Sequence, residues 1–193
     1  EGTKARDPGN SASSILSLRP GLLMGKITAS GYYANSIIGV VASAYTSGGT
    51  SLTVSAASAT ELVRRVGSSG TFTLKGSATA GGVLTSDTVT YSAVNTTTGA
   101  ITITDIAANR IAGSFVVPSD GSETPLTYLS DGYNVVIPDD FSDVSYPRLL
   151  IAAVVDTANI IDWPTDTTLR TWIRTSLSTV SGGKFVFDDI YTL

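Results

Sequence analysis

The sequence contains no histidine and no cysteine. Without histidine, the usual general base of serine and cysteine hydrolases and the commonest metal ligand are missing. Without cysteine, disulfide bonds, thiol nucleophiles and thiolate zinc sites are excluded. The nucleotide-binding patterns GxxxxGK[ST] and GxGxxG do not occur either. We therefore expect no enzymatic activity, no cofactor and no metal site.

Charged residues are also scarce, at 15% of the 193 residues, with a net charge of −4. A mildly acidic surface repels the phosphates of nucleic acids. Mean hydropathy is +0.22, yet the apolar residues stand in short runs, well below the roughly 20 residues of a membrane-spanning helix. Neither nucleic acid nor a membrane is an expected partner.

Carboxylates are the remaining candidates for chemistry. Asp139 and Asp140 are adjacent, as are Asp188 and Asp189, and residues 120–123 (DGSE) hold two more acids. A glycosidase needs only two carboxylates about 5–10 Å apart, and calcium prefers carboxylate oxygens, so both alternatives stay open. Adjacent aspartates on a strand point to opposite faces, and acids in loops are usually hydrated. We interpret these residues as solvated surface acids.

The residues that are present favour β-structure. Short runs of valine, isoleucine, leucine and alanine alternate with serine, threonine and glycine, as in strands joined by turns. The clearest signal is TVTYSAVNTTTGAITIT (88–104), where two alternating segments flank a turn and predict a hairpin. Further strands are predicted at residues 22–29, 37–44, 70–74, 113–117, 133–137 and 149–155, with a last one around Phe185 and Phe187.

Two helices are predicted among the strands. Ser58 and Glu61 have the spacing of a capping box, so the first helix is predicted to begin at Ser58 and to end near Gly67. The second is predicted behind Asp166 as N-cap, although its threonines leave a strand open as the alternative. Its apolar positions have helical spacing: Leu169, Trp172, Ile173 and Leu177.

The chain divides into three predicted parts. Residues 1–14 have no large apolar side chain and are expected to form a flexible N-terminal arm. Residues 15–49 and 106–193 are predicted to form a compact β-rich core, and residues 50–105 a small α+β insertion with one helix and a hairpin. The predicted fold class is therefore mainly β.

The segment LRPGLLMGKITASGYY (18–33), followed by Gly39, Val40 and Val41, resembles the bacteriophage lambda type of head decoration protein. Members of that family show a Pro-Gly pair, a hydrophobic pair, GKIT, a small residue, then glycine and an aromatic residue. The resemblance covers residues 18–41. The family is typically shorter, and residues 50–105 and those beyond 149 have no counterpart in its simple pattern.

The resemblance implies a compact core of the β-barrel or β-tulip kind, with no enzymatic activity. It implies a homotrimer that binds the major capsid protein on the outer surface of the virion head and stabilises the capsid. The N-terminal arm would add to a strand of that protein, with residues 20–21 as its hinge. The capsid-binding residues implied in this way are Ser13, Ser14, Ile15, Leu16, Ser17, Leu18, Arg19 and Pro20.

Three alternatives stay open. In the first alternative, the protomer's own first strand contains Ile15, Leu16 and Leu18, which pack there and have no docking role. A phage tail or fibre protein shares most of this composition. A carbohydrate-binding β module on a virion or cell surface needs exposed rings beside acids, for instance Trp163 near Asp162 and Asp166. The aromatic residues near the C-terminus, Trp163, Trp172, Phe185 and Phe187, would form that platform, although core packing is the commoner role for such residues.

Overall fold

The computed structural model describes Asp7 and residues 17–104, 106–129, 135–136, 153–180 and 185–188. More of these residues lie in strands than in helices, which confirms the predicted mainly β class. The strands are β1 Ser17–Leu18, β2 Leu23–Lys26, β3 Tyr33–Asn35, β4 Gly39–Val40, β5 Ser51–Thr53, β6 Gly70–Gly76, β7 Thr85–Val94, β8 Ala100–Ile103, β9 Phe115–Val117, β10 Thr127–Tyr128, β11 Val135–Val136, β12 Ala153–Asp156 and β13 Phe185–Asp188. The helices are α1 Ala56–Arg65, a 3₁₀ turn Thr157–Asn159 and α2 Thr167–Val180.

The largest sheet has six antiparallel strands in the order β4-β9-β6-β7-β8-β5. The predicted hairpin forms β7 and β8. In the turn that joins them, the backbone amide of Asn95 donates to the carbonyl of Ala100, and its backbone carbonyl accepts from the amide of Gly99. The side-chain Oδ1 of Asn95 accepts from the amide of Thr97. The sheet is curled, as a hydrogen bond between its two ends shows: the amide of Ala42, just beyond β4, donates to the carbonyl of Thr53 on β5 at 2.8 Å. Its two edge strands therefore approach each other as in a half-barrel.

Strand β9 lies between two hydrophobic cores. Val116 belongs to a core that α1 covers, whereas Phe115 and Val117 belong to a core that α2 covers. The reason is the alternation of side chains along a strand, which sends neighbouring residues to opposite faces. A continuous apolar run is typical of such a strand, and all three residues of β9 are buried.

Helix α1 begins one turn earlier than predicted. The hydroxyl of Ser55 accepts from the amide of Ser58 at 3.0 Å, so Ser55 is the N-cap and Ser58 lies in the first turn. The predicted cap at Ser58 is therefore wrong, and Glu61 pairs with Arg64 instead of reaching back. Ser55 precedes two alanines, which are strong helix formers, so the earlier start extends the helix at little cost.

The structure confirms the predicted second helix, α2, and its predicted cap, so the alternative of a strand is wrong. The carboxylate of Asp166 accepts from the amides of Thr168 and Leu169 at 3.0 and 3.1 Å. The side chains of Leu169, Ile173 and Leu177 are fully buried. Helix α2 lies in sequence between β12 and β13, which pair in parallel as strands joined by a crossover do.

The elements predicted for residues 50–105 are present, namely α1, β6 and the hairpin of β7 and β8, and the structure adds β5, which was not predicted. Their sheet continues into β4 and β9, which lie outside those bounds in sequence. This unit and the predicted core therefore share one sheet. The described residues also form three smaller sheets: β10-β2-β3, β1-β11 and β12-β13. Within the described ranges, neither helix is long and apolar enough to cross a membrane.

Candidate docking site at the N-terminal segment

The Pro-Gly pair of the family-like segment forms a tight turn against the rest of the fold. Gly21 has a φ of +87°, donates its amide to the carbonyl of Leu129 and accepts from the amide of Ile161. A Cβ atom at this position would lie 2.0 Å from the carbonyl oxygen of Asn159. Only glycine satisfies both the backbone conformation and the close approach.

The glycine of the GKIT sequence is also a packing position. Gly25 lies in β2, which pairs with β3 on one side and β10 on the other. A Cβ on Gly25 would lie 2.1 Å from the carbonyl oxygen of Ser122. The loop that contains Ser122 therefore presses directly on the backbone of the segment.

The predicted capsid-binding residues fall into two groups. Ser13, Ser14, Ile15 and Leu16 lie outside the described residues. Ser17 and Leu18 form β1, which pairs antiparallel with β11, and Leu18 is buried in the protomer. Arg19 and Pro20 come next, at the turn, and are half-buried. Leu18 thus packs within its own chain, and docking of this segment on another protein stays a prediction.

Arg19 holds the buried carboxylate of Asp7. The guanidinium donates from Nε and Nη2 at 2.5 and 2.8 Å, and the backbone amide of Arg19 donates at 3.1 Å. The Asp7 side chain is fully buried, whereas that of Arg19 is 39% exposed. The hydrogen bonds to Asp7 raise the pKa of Arg19 above its usual value, against the opposing effect of desolvation. A two-pronged pair of this kind is among the stronger polar contacts in proteins.

A second carboxylate, Asp162, lies beside this pair. It borders a cavity of about 220 Å³ that Asp7, Arg19 and the first turn of α1 also line. Its φ of +59° is the one positive value at a non-glycine residue in the described part of the chain. Desolvation raises the pKa of Asp162, Arg19 acts to lower it, and the like charge of Asp7 raises it further. One guanidinium therefore faces two carboxylates.

The acidic loop considered for calcium instead binds an arginine. The guanidinium of Arg65, on α1, donates to the carboxylate of Asp120 at 3.3 Å and to the hydroxyl of Ser122. Burial alone raises the pKa of Asp120, but hydrogen bonds from Ser122 and the charge of Arg65 outweigh it and lower the value. Glu123 accepts from the amide of Gly121 within the loop. A positive charge thus already stands beside Asp120.

The described residues contain no group of three or more metal-ligating side chains. Of the adjacent aspartate pairs, Asp139, Asp140 and Asp189 lie outside the described residues, and Asp188 ends β13. The glycosidase and calcium alternatives therefore gain no geometric support from the described carboxylates.

The aromatic residues near the C-terminus contact one another and the core. Trp163 stacks on Phe187 with ring centroids 6.2 Å apart, and the guanidinium of Arg174 lies 5.6 Å from the Trp163 ring. Trp172 packs on Phe115, and Phe185 is buried. Asp166 caps α2, and its carboxylate also accepts a hydrogen bond from the amide of Gly81. These contacts favour the packing role over a sugar-binding platform.

Sequence reasoning gave no role to Asp7. A single aspartate in a polar segment carries no periodic signal, and its partner stands twelve positions away. The two exposed tyrosines, Tyr32 and Tyr33, lie at the tip of the β2–β3 hairpin with 48% and 39% of their surfaces accessible. The doublet is visible in the sequence, but its exposure depends on the hairpin geometry.

Comparisons of the chain with protein-family models, with curated proteins and with solved structures find no match. The resemblance of residues 18–41 to head decoration proteins therefore rests on the sequence segment itself.

Proposed function

We propose that this chain is a phage capsid decoration protein, which binds the major capsid protein on the outer surface of the head and stabilises the capsid. The main support for this proposal is the segment at residues 18–41. In its Pro-Gly turn and its GKIT strand, Gly21 and Gly25 lie where a side chain would overlap neighbouring backbone atoms. A mainly β fold supports the same proposal.

Attachment would use the backbone of residues 13–18, which lead into and form β1. Strand β1 pairs with β11 along one edge in a two-stranded sheet, and the described residues place no strand along its other edge. An open edge is the usual acceptor for a strand from another protein. Each added backbone hydrogen bond contributes about 0.5–1.5 kcal/mol net. Many copies on one shell multiply a modest affinity per copy.

Deleting residues 1–14 tests the attachment directly. The truncated protein loses Asp7, the buried partner of Arg19, but both hydrophobic cores contain only later residues. It is therefore expected to keep its fold and to bind empty expanded capsids about tenfold more weakly. Co-sedimentation over a range of protein concentrations measures this, and thermal unfolding of both forms controls for the fold. Equal binding by the two forms would contradict docking through the arm.

The proposed homotrimer is tested by light scattering of the free protein. A trimer of the 19.9 kDa chain has a mass of about 60 kDa. We expect this mass, or a concentration-dependent approach to it. A constant monomer mass at all concentrations would contradict self-association in solution, and cross-linking on capsids would then test whether trimers form there.

A tail or fibre protein, the structural alternative, is expected not to co-sediment with empty heads. A carbohydrate-binding module needs an open ring for the sugar, whereas Trp163 stacks on Phe187 with Arg174 beside it. No specific contact favours either alternative, and we propose neither.

A further inference from the structure

No further inference is drawn: the strongest candidate, the exposed patch of Thr71, Thr88, Thr90 and Thr102 on strands β6, β7 and β8 of the large sheet, is a sheet face for which nothing in the described part of the structure shows what covers it.

Discussion

Replacing Gly21 with alanine is expected to lower the free energy of unfolding by about 4 kcal/mol. Two effects add at this position. A left-handed backbone costs an alanine about 1–2 kcal/mol. The new Cβ would also lie 2.0 Å from the carbonyl oxygen of Asn159, which belongs to the backbone and is not free to rotate away. Relieving such an overlap shifts the main chain and typically costs a further 1–3 kcal/mol, roughly.

Gly113 provides a matched control for this prediction. Its φ of +86° is nearly that of Gly21, but a Cβ built there has no atom within 4 Å. Gly113→Ala should therefore cost only the backbone strain, about 1–2 kcal/mol. Denaturant unfolding of both variants measures the difference. Equal losses for the two would show that the turn against Asn159 yields easily, and the rigidity assigned to the Pro-Gly turn would have to be abandoned.

The Pro-Gly turn fixes Arg19, the residue directly before it, and with Arg19 the contact to Asp7. Gly21 also belongs to the part of the sequence that resembles a decoration protein.

Local signals were sufficient to predict α2 and the β7–β8 hairpin. In α2 the cap and the apolar spacing agree, since Asp166 and Leu169 both occupy their predicted roles. In the hairpin, the alternation and the turn at Asn95 agree in the same way. Where two independent local preferences coincide, they determine the secondary structure of the segment largely without tertiary contacts.

Other features depend on contacts between distant parts of the chain. Two serines, Ser55 and Ser58, offer equivalent caps, and the structure uses the first. The pairing of β9 with β6 joins residues about 40 positions apart, which no local pattern reveals. The burial of Asp7 depends on Arg19 in the same way. Such contacts shape the candidate site, which is why its strand could be predicted from the sequence and the contact between Asp7 and Arg19 could not.

Arg65→Met is expected to lower the free energy of unfolding by about 3–4 kcal/mol. The Arg65 side chain is 1% exposed and donates to the backbone and side-chain oxygens of Asn35, at 2.6 and 3.1 Å, as well as to Asp120 and Ser122. Methionine keeps the apolar stem but none of the donors. Buried acceptors left without donors cost about 1–3 kcal/mol each, and removing one partner of a buried ion pair costs about 3–5 kcal/mol.

Asp120→Asn removes the negative charge of Asp120 and leaves the other residues of this network unchanged. The Asp120 side chain is 26% exposed, and Arg65 would retain Asn35 and Ser122, so we expect a smaller loss of about 1–2 kcal/mol. The double variant is expected to lose less than the sum of the single losses, because each single change removes the same contact. Strict additivity in chemical denaturation would mean that Arg65 and Asp120 do not interact.

The lowered pKa of Asp120 determines the pH dependence of these variants. A carboxylate whose pKa is lower in the folded state stabilises the protein above the unfolded value, about 3.9. That contribution is lost as the pH falls through the folded pKa. The stability gap between the parent and Asp120→Asn should therefore be constant near neutral pH and close progressively below about pH 4. Since Arg65 on α1 contacts the loop that presses on Gly25, acid is expected to weaken the support behind the GKIT strand. If the proposed function holds, capsid attachment is expected to weaken over the same pH interval.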